Sequence, residues 1–157
     1  MNIVEKFINI IGKYISYLIP LMTLLMIIVI VSRYFFGIGQ TGLQELVMYF
    51  HALVFLGCAG YAFNKDEHVR VDIFYRDASA KYKNLVNLVL GVIFLLPVMF
   101  IIAFYSIDLI AMSWKIQEVS NEAGGLGYVF VQKTFIFLFP LTLFAAFINQ
   151  LIKIIWK

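Results

Sequence analysis

Two histidines are the residues of this chain that could bind a haem or a metal ion. His51 lies inside an apolar stretch, whereas His68 lies in a charged segment further along the chain. A haem held between helices usually takes two axial ligands, and the apolar stretches supply a single histidine. The pattern therefore favours an interhelical hydrogen bond or a contact with a partner chain for His51, and we expect no cofactor. The single Cys58 excludes a disulfide or a cysteine metal cluster within one chain.

Arg33 and Glu45 are charges that could act at the edge of a membrane. They flank a short glycine-containing turn, residues 37–42, where one apolar stretch ends and the next begins. Because unpaired charges at such a depth are costly, we expect Arg33 and Glu45 to neutralise each other as a structural ion pair, or to neutralise a neighbour. A cation- or proton-coupling role for Glu45 is the alternative. Asp108 ends a third apolar stretch, and no other ionisable residue lies deep in these stretches, which argues against a transporter that works alone.

The composition indicates which elements must position these residues. Of the 157 residues 63% are apolar and only 13% are charged, whereas soluble domains have about 25% charged residues. A soluble enzyme, a disordered tail and a disulfide-stapled secreted module are therefore excluded. Four uncharged stretches, about 14–32, 46–63, 85–107 and 134–152, each suit a spanning helix. We predict one all-α membrane domain over 1–157 with four transmembrane helices, which serves as a subunit of something larger.

The orientation follows from the distribution of lysine and arginine. Nine of these residues lie at the termini and between the second and third stretches, and three lie on the other side. Because cytoplasmic loops carry the excess of positive charge, both termini should be cytoplasmic. The inner segment, residues 64–84, mixes charged and apolar side chains, and we predict that it lies on the cytoplasmic surface as an amphipathic strip that is helical from about Ala78 onward.

Three further features concern the outer side and the helix contacts. Thr41 and Gln44 have the spacing of a capping box at the start of the second helix. The loop over about 113–127 is the longest outer segment and contains a Gly-Gly pair. Small residues in the second stretch predict close helix approach, and they are Ala52, Gly57, Ala59, Gly60 and Ala62.

The order of several short motifs resembles a known family, the DctQ-like small membrane subunit (Q subunit) of tripartite ATP-independent periplasmic (TRAP) transporters. The motifs are Arg33 and residues 44–46, 68–72, 113–120 and 124–126. The resemblance covers essentially the whole chain. It implies a non-catalytic subunit in a bacterial inner membrane, within a sodium-coupled system that takes up an organic acid anion. It also implies that a large M subunit carries the substrate and sodium sites, while a soluble periplasmic protein delivers the solute.

In that setting the small subunit would brace the scaffold of the M subunit and help dock the binding protein. Our candidate partner contacts on the periplasmic side are Trp114, Glu118 and Ser120. The alternative is that Trp114 only anchors the chain at the membrane interface and that Glu118 is only solvated. On the cytoplasmic side, His68, Arg70 and Asp72 are candidates for a structural lock to the M subunit or for contacts with phospholipid head groups.

Two other classes of protein fit the composition. A haem-free membrane anchor subunit of a respiratory or other membrane complex shares the four helices. A small multidrug exporter would need a carboxylate embedded within a span, and Glu45 lies too near the outer edge for that role. The sequence predicts no catalytic, metal or substrate site in this chain and no nucleic-acid partner. It does not identify the transported solute.

Overall fold

The computed structural model describes residues 3–67 and 77–155, and its regular elements in this part of the chain are all helical. The helices are α1 (Ile3–Ser16), α2 (Leu18–Phe36), α3 (Thr41–Gly57), α4 (Ala59–Asn64), α5 (Ala80–Leu90), α6 (Leu96–Lys115), α7 (Val129–Thr134) and α8 (Leu138–Ile155). A π-helical turn over Gly91–Leu95 joins α5 to α6, and a 3₁₀ turn over Phe135–Phe137 joins α7 to α8.

These elements combine into four helices that are long and apolar enough to cross a membrane. They run over Val4–Phe36, Thr41–Asn64, Ala80–Lys115 and Val129–Ile154, and we refer to them as the first to fourth spanning helices. The prediction of an all-α protein with four transmembrane helices is confirmed. The helices are longer than the uncharged stretches because their ends are set by backbone hydrogen bonding and caps, whereas the stretches end at charged side chains.

The ends of the second and third spanning helices show this directly. The third begins at Ala80, because the Ser79 hydroxyl accepts a hydrogen bond of 3.3 Å from the Tyr82 N–H and satisfies a free donor of the first turn. The second begins at Thr41 with Gln40 as its N-cap and has no side-chain cap hydrogen bond. The capping box predicted for Thr41 and Gln44 is therefore not formed.

A tight connection joins the end of α2 to the start of α3. Gly37 adopts a left-handed conformation with φ of 66°, and its N–H, like that of Ile38, donates to the Ser32 carbonyl. A residue without a Cβ adopts this conformation at no steric cost, which is why the helix ends at this glycine. The connection places Arg33 and the first turn of α3 at the same end of the bundle.

The core lies between the second and fourth spanning helices. At Gly60 on α4, an added Cβ would lie 2.2 Å from the backbone oxygen of Thr142 on α8, so only glycine permits this approach. The Gly60 N–H also donates to the Thr142 hydroxyl at 3.3 Å. Gly57 is in similarly close contact with Ile15 on α1. The prediction that small residues allow close helix approach is confirmed at Gly57 and Gly60.

The third spanning helix meets this core where its π-helical turn begins. Gly91 faces Phe147, whose side chain is only 1% exposed, and an added Cβ would lie 2.1 Å from the ring. Nearby, Ala59, Met99 and Leu143 form a buried apolar cluster. Helix α1 packs against α4 and α8 and is separated from α2 by a turn at Tyr17.

The start of α1 and the end of α8 lie at the end of the bundle opposite the connection at Gly37. Lys153 near the end of α8 donates to Glu5 near the start of α1 at 2.9 Å, and Asn149 donates to Asn64 at 3.1 Å. We call this the termini end, and the end that carries residues 37–40 and 116–128 the loop end. His68, Arg70 and Asp72 lie outside the described residues, together with most of the predicted amphipathic strip, of which the described part becomes helical at Ala80.

Candidate functional site

The described residues contain no group of three or more His, Cys, Asp or Glu side chains that could hold a metal ion. His51 is exposed on α3 and stacks on Phe55 of the same helix, with the ring centroids 6.1 Å apart. The alternative that His51 faces a partner chain therefore suits the structure better than an interhelical hydrogen bond. The candidate site is the loop end, where the sequence analysis placed Trp114, Glu118, Ser120, Arg33 and Glu45.

Glu45, in the first turns of α3, fastens the long loop. One carboxylate oxygen accepts a short hydrogen bond from the Ser120 hydroxyl, and the other accepts from the Leu126 N–H at 2.6 Å. The Ser120 N–H in turn donates to the Leu126 carbonyl at 3.0 Å. An added Cβ at Gly125 would lie 2.4 Å from the Ser120 hydroxyl oxygen, so the absence of a side chain at Gly125 leaves room for this contact. Hydrogen bonds to a charged acceptor are the stronger kind, and this pair holds the loop against α3.

The predicted ion pair between Arg33 and Glu45 is not formed. Arg33 instead donates to the side-chain oxygen of Gln44 at 3.2 Å. Successive residues of an α-helix point about 100° apart, so Gln44 faces α2 while Glu45 faces the loop. Glu45 is satisfied by a hydroxyl and a backbone N–H, which replace the expected guanidinium.

Glu118 forms a second contact that holds the loop, a salt bridge to Lys133 on α7. The Lys133 ammonium donates to both of its carboxylate oxygens, at 2.7 and 2.5 Å, and both side chains are about 30% exposed. The hydrogen bonds from Lys133 hold the pKa of the Glu118 carboxyl below its ordinary value. Because the pair is partly solvated, it orders the loop more than it stabilises the whole fold.

Trp114 forms a third fastening at the end of α6. Its indole N–H donates to the Thr134 hydroxyl at 2.9 Å, and its ring packs edge-on against Phe130 with centroids 4.7 Å apart. The side chain is still 46% exposed. The reading of Glu118 as merely solvated does not fit the structure, and all three candidate contact residues have partners within the chain.

The side chains that the loop presents outward were missed by the sequence analysis. Ile116, Val119 and Tyr128 are 60%, 57% and 60% exposed. Apolar residues in a turn-rich loop were the signal that could have indicated them, because a loop with no partner gains nothing from exposing them. The structure thus separates residues that hold the loop from residues that it displays.

The four spanning helices differ in the share of their residues that is buried within the chain. In the most apolar window of each spanning helix, 28% of the residues of the second and fourth are buried within the chain, against 6% for the first and 11% for the third. On α6 three rings form a contiguous exposed patch: Phe100 stacks on Phe104, which meets Tyr105 edge-on. We call Phe100, Phe104 and Tyr105 the aromatic ladder.

The chain matches a known family model. The family model described as "DctQ: Tripartite ATP-independent periplasmic transporters, DctQ component" matches residues 22–156. Neither a curated protein nor a solved structure matches the chain. The matched range includes both segments of the loop end, residues 37–40 and 116–128.

Proposed function

Because this chain belongs to the DctQ family of tripartite ATP-independent periplasmic transporters, we propose that it braces a larger transport subunit and does not itself carry the solute. It is a small membrane component of such a transporter, and a family of transporter components implies a role other than catalysis. In the proposed complex, the large M subunit holds the substrate and sodium sites and a periplasmic protein delivers an organic acid anion. We place the complex in a bacterial inner membrane, with both termini of this chain in the cytoplasm, as the distribution of basic residues favours.

The observation that carries the proposal is the exposure of the first and third spanning helices. Their apolar windows are 6% and 11% buried within the chain, so nearly all of that surface is left for lipid or for another protein. Scattered aliphatic side chains suit lipid. The aromatic ladder is different, because its rings are 70%, 58% and 71% exposed and already stacked on one another.

We propose that the aromatic ladder packs against the M subunit. Aromatic side chains are large and lose little conformational freedom when they are buried, so they supply much of the binding energy of many protein interfaces. A prearranged set of three rings in the middle of a long helix gives such an interface a fixed register. The first spanning helix then faces lipid or completes the same interface.

Co-purification of the M subunit with this chain tests the bracing role. Alanine at both Phe100 and Phe104 removes the stacked pair, and we expect the amount of M subunit retained to fall by about tenfold. Phe55→Ala is the matched control, since Phe55 is 68% exposed on a different spanning helix. Equal retention by the double variant and the control would contradict the proposed interface.

The second part of the proposal concerns the periplasmic binding protein. The loop over residues 116–128 is fastened to α3 and α7 by Glu45 and Glu118, so it offers Ile116, Val119 and Tyr128 on a fixed support. We propose that these apolar side chains, with the exposed edge of Trp114, contact the binding protein or the outer rim of the M subunit. Glu118 and Ser120 then act by holding the loop in position.

Solute uptake by the assembled transporter tests this contact. Val119→Asp places a charge in the proposed interface without touching a fastening residue, and we expect uptake to fall by about tenfold while the complex in the membrane stays intact. Ile38→Asp is the control, because Ile38 is 54% exposed in the other connection of the loop end. Normal uptake in the Val119 variant would remove the loop from the docking surface.

A lock on the cytoplasmic side completes the proposal. His68, Arg70 and Asp72 are proposed to join the inner segment to the M subunit or to anionic head groups, on the strength of the motif in the sequence alone. Arg70→Ala tests this role, with Lys81→Ala as a control for the loss of one positive charge. An intact complex with normal transport in the Arg70 variant would leave the segment without this function.

A further inference from the structure

Asp108 is a charged side chain within the apolar part of the third spanning helix. The helix continues beyond it to Lys115, and residues 109–112 are again apolar. Trp114 is a typical side chain of the membrane interface. Asp108 precedes Trp114 by six residues, so it lies about 9 Å deeper along the helix axis. The carboxylate is therefore placed at a depth where hydrocarbon surrounds the chain.

The Asp108 side chain points away from the rest of the bundle. The buried side chains of α6 are Met99, Ser106 and Ser113, which share one face because they are seven residues apart. Asp108 is exposed and follows Ser106 by two residues, which places it about 200° around the helix and nearly opposite that face. In rotation it lies between Phe104 and Tyr105, one turn closer to the loop end. Asp108 therefore continues the aromatic ladder.

No residue in the described part of the chain pairs with this carboxylate. The basic side chains at the loop end are Arg33, Lys115 and Lys133. Lys115 is on the same face as Asp108, but it lies two turns and about 10 Å further along the helix. Lysine and arginine can extend from the membrane to its surface, whereas the side chain of aspartate is too short to do so. Because an unpaired charge at this depth is costly, the partner of Asp108 has to come from outside the chain.

The depth and the sign of this charge restrict what the partner can be. The ammonium group of a phospholipid lies in the head-group layer, near the level of Trp114 and above Asp108. A second copy of this chain that used the same face would bring a second carboxylate to the contact and not a cation. A spanning helix of another protein can present a lysine or an arginine at the required depth.

We propose that Asp108 forms an ion pair with a lysine or arginine on a spanning helix of the M subunit, at the loop end of the aromatic ladder. The proposal rests on the bracing function and names the chemistry of its partner. The three rings supply apolar contact area, whereas the charge pair selects one helix and one register along it. A charge pair in such an interface contributes to specificity because a wrongly placed partner leaves both charges unpaired.

Co-purification of the M subunit with the full-length chain tests the ion pair. Asp108→Asn removes the charge and keeps the size of the side chain, and we expect the amount of M subunit retained to fall by about tenfold. Asp77→Asn is the matched control, because Asp77 is exposed and precedes the start of the same spanning helix at Ala80. The isolated Asp108 variant should unfold in detergent like the original chain, since it loses no contact within the chain.

A charge exchange identifies the partner. Asp108→Lys should lower the amount of M subunit retained by about a hundredfold, because it brings two cations together in an apolar interface. Each lysine and arginine in the spanning helices of the M subunit is then changed to aspartate, one at a time. We expect one of these changes to restore retention by the Asp108→Lys chain to within about threefold of the original complex. Asp77→Lys, with the unmodified M subunit, is the control.

The proposal is overturned if Asp108→Asn retains as much M subunit as Asp77→Asn, or if no change in the M subunit rescues Asp108→Lys. Easier unfolding of the isolated Asp108→Asn chain would also overturn it, since the carboxylate would then have a partner within the chain. Loss of bound phosphatidylethanolamine with normal retention of the M subunit would assign the cation to a lipid instead.

The ladder variants separate this proposal from the bracing function. If alanine at Phe100 and Phe104 releases the M subunit while both Asp108 variants retain it, the ion pair is wrong and the bracing function stands. If all of these variants retain the M subunit, both proposals are wrong.

Discussion

At the loop end, hydrogen bonds that Glu45 and Glu118 accept and Trp114 donates hold an irregular segment against helix termini, whereas α4 and α8 are held together by close contact at a glycine. Glu45, Glu118 and Trp114 join the loop to α3 and α7. Gly60 and Thr142 bring two helices together within the region that lipid surrounds. This chain therefore relies on several polar contacts where water is at hand. Where water is absent it relies mainly on close packing, with one hydrogen bond from the Gly60 N–H.

The largest effect should follow a change at the glycine contact. In Gly60→Ala the new Cβ would lie 2.2 Å from the Thr142 backbone oxygen, which cannot move without shifting α8. We expect the free energy of unfolding in mixed micelles to fall by about 3 kcal/mol, the upper part of the range for overpacking.

Gly39→Ala is the matched control for this change. An added Cβ at Gly39 meets nothing within 4 Å, so this variant should unfold like the original chain. If the two variants were equally stable, packing at α4 and α8 would not be the stronger of the two kinds of fastening.

A smaller and local effect should follow a change at Glu45. In Glu45→Gln one carboxylate oxygen becomes an amide nitrogen, so either the Ser120 hydroxyl or the Leu126 N–H loses its acceptor. We expect a loss of about 2 kcal/mol that is confined to the loop. Hydrogen exchange should speed up at Leu126 and its neighbours and not in α4 or α8.

Asp108→Asn serves as the control, because Asp108 is an exposed carboxylate on a different helix, the third spanning helix. Faster exchange throughout the bundle in the Glu45 variant would mean that the loop and the helix core unfold together. The loop end and the contact between α4 and α8 would then not be independent in stability.

Acidification should loosen the loop through Glu118. The pKa of this carboxyl is lowered by the hydrogen bonds from Lys133, so the contact is fully present above the ordinary pKa of a glutamate and is lost as the pH falls through the lowered value. We expect proteolysis of residues 116–128 by an acid-active protease to increase across that interval.

Glu118→Gln should reduce this pH dependence and leave the loop more open at neutral pH, while the contacts that Glu45 accepts still hold it against α3. A loop whose cleavage in the original chain does not change across the same interval would show that Glu45 and Trp114 hold it without help. The loop end would then be held by fewer polar contacts than the structure shows.

The smallest effect should come from Trp114. Trp114→Phe keeps an aromatic ring against Phe130 and removes the hydrogen bond to Thr134. We expect a loss of about 1 kcal/mol at most. A double-mutant cycle with Thr134→Val, read as local stability of the loop end, should return a coupling energy of that size, and a coupling energy of zero would contradict the contact.

The spanning helices were predictable from the sequence, because the length of an uncharged apolar stretch depends only on residues that are neighbours along the chain. The four stretches, the turn at Gly37 and the close approach at Gly60 could all be read within windows of about 20 residues. The C-terminal end of the third spanning helix was harder to predict. The helix continues to Lys115, beyond the uncharged stretch that ends at about residue 107, because backbone hydrogen bonding sets this end.

The contacts of the loop end could not be predicted in the same way. Glu45 meets residues that are 75 and 81 positions away, and the direction in which its side chain points depends on the rotation of α3. The same rotation sends Gln44 to Arg33, which is why an ion pair that was expected from proximity along the chain is absent. Ile116 and Val119 were overlooked because exposure is a property of the folded loop.

The length of the third spanning helix has a mechanical consequence. Its 36 residues extend over about 54 Å, whereas the hydrocarbon layer is about 30 Å thick. The helix must therefore tilt or project, and as a stiff lever it joins the inner segment that precedes Ser79 directly to the loop that follows Lys115. A restraint on one end of this helix is therefore transmitted to the other end. The π-helical turn over Gly91–Leu95, where Gly91 packs against Phe147, is the kind of irregularity at which long helices bend.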